Sequence, residues 1–137
     1  MKYVDTSAVL RLLFGEPGIT VPLAAGETAV SSELLEVEAF RAIDRERLLG
    51  NLDDSQTAVK RKELSDVVAR LDLSPIDRAV IDRAKCSFGI NVRALDAIHV
   101  ATAEVLAEES GLEVEFWTHD DRQRIAALSR GLNVHGL

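Results

Sequence analysis

Lys2-Tyr3-Val4-Asp5-Thr6-Ser7, continued by Ala8-Val9-Leu10-Arg11-Leu12-Leu13-Phe14, reads as a short strand that hands a carboxylate to the start of a helix. Residues 2–4 are too few and too rich in strand formers to open a helix themselves. Asp5-Thr6-Ser7 is a capping cluster, and the residues after it are apolar on almost every side, as in a buried helix. In an open α/β sheet the groups at the carboxyl ends of the strands line the crevice where ligands bind, so Asp5 is predicted to stand at such a crevice. A cap alone would also account for this Asp, and the question for the rest of the chain is whether other carboxylates meet it.

Outward from this segment, strands and helices alternate. Gly15-Glu16-Pro17-Gly18 ends the first helix, because proline and two glycines cannot continue it. Residues 28–32 form a short buried strand, and Ser31-Ser32-Glu33 starts a helix that runs to about Leu49, where Gly50-Asn51 stops it. A strongly charged helix over 53–70 follows and makes a hairpin with the one before, of the kind that stands off a sheet. Residues 71–76 alternate as a strand that Pro75 closes, 77–87 are helical, and 88–91 form a loop. The cleanest helical pattern covers 93–109 and ends at Ser110-Gly111. Residues 113–118 are a strand, Asp120-Asp121 caps a helix reaching Arg130, and 132–134 are a last short strand. This alternation implies βαβ units and a mostly parallel central sheet covered on both faces, a three-layer α/β/α sandwich with a protruding helical hairpin.

The 137 residues and 47% hydrophobic content suit one domain, 1–137, with a single core. Cys86 is the only cysteine, which leaves no partner for an intrachain disulfide and no cysteine cage for a metal, and suits the reducing cytoplasm. Asp5 interrupts the first apolar run at once, and no apolar stretch approaches the roughly 20 residues that span a bilayer, so neither an export signal nor a membrane partner is expected. The formal net charge of -7 opposes generic binding to nucleic acid, whose backbone is held by Lys and Arg. A nucleic-acid substrate would need local basic groups, such as Arg41, Arg45 and Arg47 or Lys60-Arg61-Lys62, or a bound metal.

Three further acidic positions point toward the crevice at Asp5. Asp96 is followed at helical spacing by His99, Val100, Ala103 and Ala107, so it shares the stripe that faces the sheet. A carboxylate on a buried stripe must be hydrogen-bonded, paired or coordinated. Asp120 and Asp121 follow the strand over 113–118 and share its carboxyl edge with Asp5. The helix from Glu33 offers both Glu36 and Glu38, and periodicity does not separate them. Carboxylates held together repel by about 4 kcal/mol per pair at 4 Å and an effective dielectric near 20, so such a cluster takes up protons or a hard divalent cation. There is no Gly-rich phosphate loop, no HExxH zinc helix and no nucleophilic triad.

Taken together, Tyr3-Val4-Asp5-Thr6-Ser7-Ala8-Val9-Leu10, Glu16-Pro17-Gly18, Ser32-Glu33-Leu34 with Val37-Glu38 and Arg41-Ala42, Arg93-Ala94-Leu95-Asp96-Ala97-Ile98-His99-Val100-Ala101-Thr102-Ala103, and Thr118-His119-Asp120 with Arg122 resemble the PIN-domain family, within it the toxin ribonucleases of VapBC toxin-antitoxin modules. The resemblance implies a Mg²⁺- or Mn²⁺-dependent endoribonuclease that acts on RNA, forms a homodimer and is inhibited by a cognate VapB-like antitoxin. It carries the family's acidic quartet onto Asp5, Glu38, Asp96 and Asp120. Of these, Asp5, Asp96 and Asp120 are the implied metal ligands and Glu38 the group that positions water. Thr6, Ser7 and Thr118 are the implied hydroxyls that steady them. Two other classes fit an α/β chain with acids at strand ends: a non-catalytic PIN-like RNA-binding scaffold, and a phosphotransfer protein using a single Asp.

Overall fold

A computed structural model describes residues 1–15, 17 and 19–136. Of the Glu16-Pro17-Gly18 block, Glu16 and Gly18 therefore lie outside the described residues. The order of elements is β1 (Lys2–Val4), α1 (Thr6–Phe14), β2 (Val30–Ser32), α2 (Leu34–Leu48), α3 (Asp54–Val68), β3 (Asp72–Ser74), α4 (Arg78–Ala84), α5 (Ala94–Ser110), β4 (Glu115–Thr118), α6 (Asp121–Ser129) and β5 (Asn133–Gly136). The five strands form one parallel sheet in the order β3-β2-β1-β4-β5. The chain steps outward from β1 to β2 and β3, then returns to the other side of β1 as β4. That reversal makes the carboxyl ends of β1 and β4 the switch point where a parallel sheet opens a crevice.

Strand alternation divides the core between the two faces. Val4 and Trp117 pack on one side with Ala8, Val9 and Leu13 of α1, Leu35, Ala39 and Ile43 of α2, and Leu64 of α3. Their neighbours Tyr3 and Phe116 pack on the other with Val100 and Ala103 of α5 and Ala126 and Ala127 of α6. Helix α4 lies on the outer side of α5 through Val80, Ala101 and Val105. The expected three layers are present. The α2–α3 hairpin stands clear of the sheet at its tip, where Leu48 and Leu49 are exposed, while Leu64 is fully buried and ties its length to α1 and α2.

Several boundaries differ from the sequence reading for local reasons. Helix α4 stops at Ala84, three residues early. Cys86 bonds back to Arg83 in a tightened last turn, Ser87 takes the Gly89 N–H, and Gly89 at φ 73° turns the chain away. The last strand runs to Gly136 instead of 134, because Asn133–Gly136 pairs residue for residue with Glu115–Thr118 and His135 stacks on Trp117 with ring centroids 4.9 Å apart. His135 and Gly136 lack the apolar signature that marks a strand. Several helix starts are closer to expectation since a cap writes them: Asp53 and Gln56 form a reciprocal capping box, and Asp77 takes the Val80 N–H.

Candidate active site

Asp5 is the first residue past β1 and the cap of α1. Its backbone N–H bonds the Trp117 carbonyl at 3.1 Å, which continues the sheet pairing to the carboxyl edge and leaves the side chain beneath the helix start. Oδ1 accepts from the Ser7 hydroxyl at 2.7 Å and the Ala8 N–H at 3.0 Å, and Oδ2 accepts from Thr118 Oγ1 at 2.6 Å. Burial pushes this carboxyl above its ordinary pKa, against the hydrogen bonds from Thr118, Ala8 and Ser7 that favour the anion.

The other acids arrive from three separate elements. Asp96 sits buried in the first turn of α5, with Arg93 Nε donating to its Oδ2 at 3.0 Å. Glu38, in the second turn of α2, accepts at Oε1 from Thr6 Oγ1 at 2.7 Å and lies 2.7 Å from His99 Nε2. Burial pushes its carboxyl up, but the bonds from His99 and Thr6 outweigh that and leave it below its ordinary value. Asp120 caps α6 by accepting from the N–H groups of Arg122 and Gln123 at 2.8 and 3.3 Å. Its own N–H is fixed by Thr118 Oγ1 at 3.1 Å. Asp5, Glu38, Asp96 and Asp120 all line one polar cavity of about 350 Å³.

In each of the two pairs that periodicity leaves open, one member lines the cavity. Glu36 is exposed and does not reach the cavity, whereas Glu38 does. Asp121 is 74% exposed at its side chain and paired with Arg124, whereas Asp120 lines the cavity. Thr6 donates to Glu38, and Ser7 and Thr118 donate to Asp5.

Sequence reasoning missed two participants, Gln123 and Arg93. Gln123, fully buried, donates to the Asp96 carbonyl at 3.1 Å. Arg93 lines the cavity together with Arg45, one of the basic groups the sequence offered. Gln123 precedes Ala126 and Ala127 on the buried stripe of α6, a signal available to periodicity; Arg93 carries no such mark.

The donor set is chemically suited to a hard cation. Every candidate ligand is a carboxylate oxygen, and one oxygen each of Glu38, Asp96 and Asp120 faces no protein partner among the described residues. No three His, Cys, Asp or Glu side chains close into a metal cage among the described residues.

Fold and site define a class: a parallel α/β sandwich that gathers acids from β1, α2, α5 and the β4–α6 junction at its topological switch point. The chain belongs to the PIN domain family, whose model matches residues 2–128. It is 36% identical over 135 residues to ribonuclease VapC46 of Mycobacterium tuberculosis (strain ATCC 25618 / H37Rv), covering 96% of this chain and 94% of that protein. It is also 34% identical over 129 residues to ribonuclease VapC47 of Mycobacterium tuberculosis (strain CDC 1551 / Oshkosh), covering 89% and 86%. Among the described residues no helix is long and apolar enough to cross a membrane.

Proposed function

We propose that this protein is the toxin of a type II toxin-antitoxin module, an endoribonuclease that hydrolyses RNA phosphodiester bonds with Mg²⁺ or Mn²⁺. The observation that carries the reading is the convergence of four carboxylates from four elements on one polar cavity. The chemistry such an ion supplies when bound is neutralisation of charge on the phosphoryl group and activation of water. Asp5, Asp96 and Asp120 are the residues to hold it, with Ser7 and Thr118 fixing the Asp5 oxygens and Arg93 and Gln123 fixing Asp96. Glu38, an anion of lowered pKa, is the group to orient an attacking water and accept its hydrogen bond.

Arg45 and Arg93 at the cavity, with Arg41 and Arg122 in the cavities on either side, offer guanidinium groups to RNA phosphates despite the acidic whole. The partner in this reading is a VapB-like antitoxin. Val37, Leu48 and Leu95, exposed beside Arg41 and Arg45, give it apolar surface next to the acids. Dimerisation of the toxin belongs to the same reading.

The test is the chemistry of the cut ends. Attack by external water leaves a 5′-phosphate and a 3′-hydroxyl, needs no 2′-hydroxyl, stops with chelator and returns with Mg²⁺ or Mn²⁺, and is supported poorly by Ca²⁺, whose looser coordination holds the reactants less rigidly. An RNA oligonucleotide with one 2′-deoxy sugar immediately 5′ of the cleaved bond should still be cut. A 2′,3′-cyclic phosphate in the unmodified control, with no cutting at the deoxy site and indifference to chelator, would overturn the roles given to Asp5, Glu38, Asp96 and Asp120.

A further inference from the structure

His99 lies one turn beyond Asp96 on α5, is 2% exposed, and has both ring nitrogens engaged. Nδ1 is 2.7 Å from the Tyr3 hydroxyl and Nε2 is 2.7 Å from Glu38 Oε1. Tyr3 comes from the central strand and is fully buried. Its ring stacks on Phe116 at 5.0 Å between centroids and meets the imidazole edge-on at 6.0 Å. A continuous line of hydrogen bonds thus runs from the middle of the sheet, through α5, to the one acid contributed by α2.

Counting protons gives the line a direction. Burial alone would raise the Glu38 carboxyl, but hydrogen bonds from His99 and Thr6 bring it below its ordinary value, so it is an anion and only accepts. His99 Nε2 must then donate. In the neutral imidazole the other nitrogen is left as an acceptor, and the Tyr3 O–H donates to it. A tyrosine phenol carries its proton at neutral pH, so it has one to give. The hydroxyls beside it, Ser31 and Thr102, spend their own protons on the Val4 and Ile98 carbonyls at 2.6 and 2.7 Å and do not compete as donors to His99.

We propose that Tyr3 and His99 are positioning residues for the reaction: the phenol fixes the tautomer and ring angle of His99, and His99 with Thr6 pins one oxygen of Glu38 so that the carboxylate keeps a single orientation in the cavity. The consequence for catalysis rests on the ribonuclease reading. The hydrogen-bond line does not.

The experiment combines imidazole ¹⁵N NMR with cleavage kinetics on the full chain, comparing wild type, Tyr3→Phe, His99→Gln and His99→Leu. In wild type the His99 nitrogens should report Nε2–H with Nδ1 as acceptor. Tyr3→Phe keeps the ring that packs on Phe116 and removes only the hydroxyl. It should shift the Nδ1 resonance, lower kcat by on the order of tenfold and change KM by less than about twofold, as a small loss of orientation does, with the melting temperature within a few degrees of wild type. His99→Gln retains a donor toward Glu38 and should keep more kcat than His99→Leu. Nδ1–H in wild type, or unchanged kcat in both Tyr3→Phe and His99→Leu, would overturn the proposal. Should Tyr3→Phe fail to fold, the wild-type nitrogen shifts and the contrast between the two His99 variants decide it. A wild type that cuts no RNA sinks the ribonuclease reading, and the line then stands or falls on the nitrogen shifts alone.

Discussion

Replacing Asp5 by Asn separates a functional carboxylate from a structural one. The asparagine keeps an oxygen for the Ser7 hydroxyl and the Ala8 N–H, and turns an NH₂ toward Thr118 Oγ1, which now donates to Asp5 at 2.6 Å. That hydroxyl accepts readily if its proton swings to the Asp120 carbonyl, 3.4 Å away. The three bonds survive without charge assistance, a loss of about 1 kcal/mol each at most. Against this stands removal of a buried anion from among Glu38, Asp96 and Asp120, where one pair at close range is worth about 4 kcal/mol at an effective dielectric near 20.

The raised pKa of Asp5 gives the sign: burial makes the folded state resist ionisation more than the unfolded state does. The native protein binds more protons between the two pKa values, so wild-type stability falls as pH rises through that window. At pH 7 the variant should be as stable as wild type or up to about 2 kcal/mol more stable, a rise in Tm of at most roughly 8 °C for a chain of 137 residues. In acid, where Asp5 is protonated, the melting curves should converge. Cleavage should fall by more than about 100-fold, since even partners of metal ligands are worth about 10- to 100-fold. Thermal melts over pH 3–8 and Mg²⁺-dependent cleavage of an RNA oligonucleotide measure both. Full activity, or a variant that melts well below wild type at pH 7, would refute the reasoning.

Glu38→Gln should cripple cleavage while Glu36→Gln leaves it within about twofold; kinetics on the two variants check this, and the reverse order would displace Glu38 from the reaction. Leu64→Ala should cost about 2–5 kcal/mol in a denaturant titration, because Leu64 is fully buried where α3 meets α1 and α2; a loss below 1 kcal/mol would mean the hairpin is not fastened there. Expression of the protein alone should arrest growth of its host and co-expression of a small partner carrying Arg or Lys should relieve the arrest; harmless accumulation of folded protein would count against the toxin reading.

The fold was legible where local chemistry and tertiary burial agree. Asp5, Asp53, Asp77 and Asp120 each cap a helix in the structure, and a cap is written in adjacent residues, so these four helix starts follow from sequence alone. The last strand was cut short because His135 and Gly136 pair with β4 by backbone bonds and a ring stack, neither of which has a hydropathy signature. The site divides along the same line. Asp96 was visible as a carboxylate on an apolar stripe, an expensive placement that demands a partner. Glu38 and Glu36 were not distinguishable, because what separates them is the position of α2 against α1 and α5, seen only once Thr6 and His99 reach Glu38.

Tyr3 shows how far the limit extends. In sequence it is one aromatic of a three-residue strand, as the core requires, and its hydroxyl meets His99, 96 positions further along the chain. Periodicity reports which face a residue occupies but not which polar atom waits there. An aromatic hydroxyl and a histidine that both fall on buried faces of a fold with acids at its switch point are therefore reason to look for a hydrogen-bonded link between core and site.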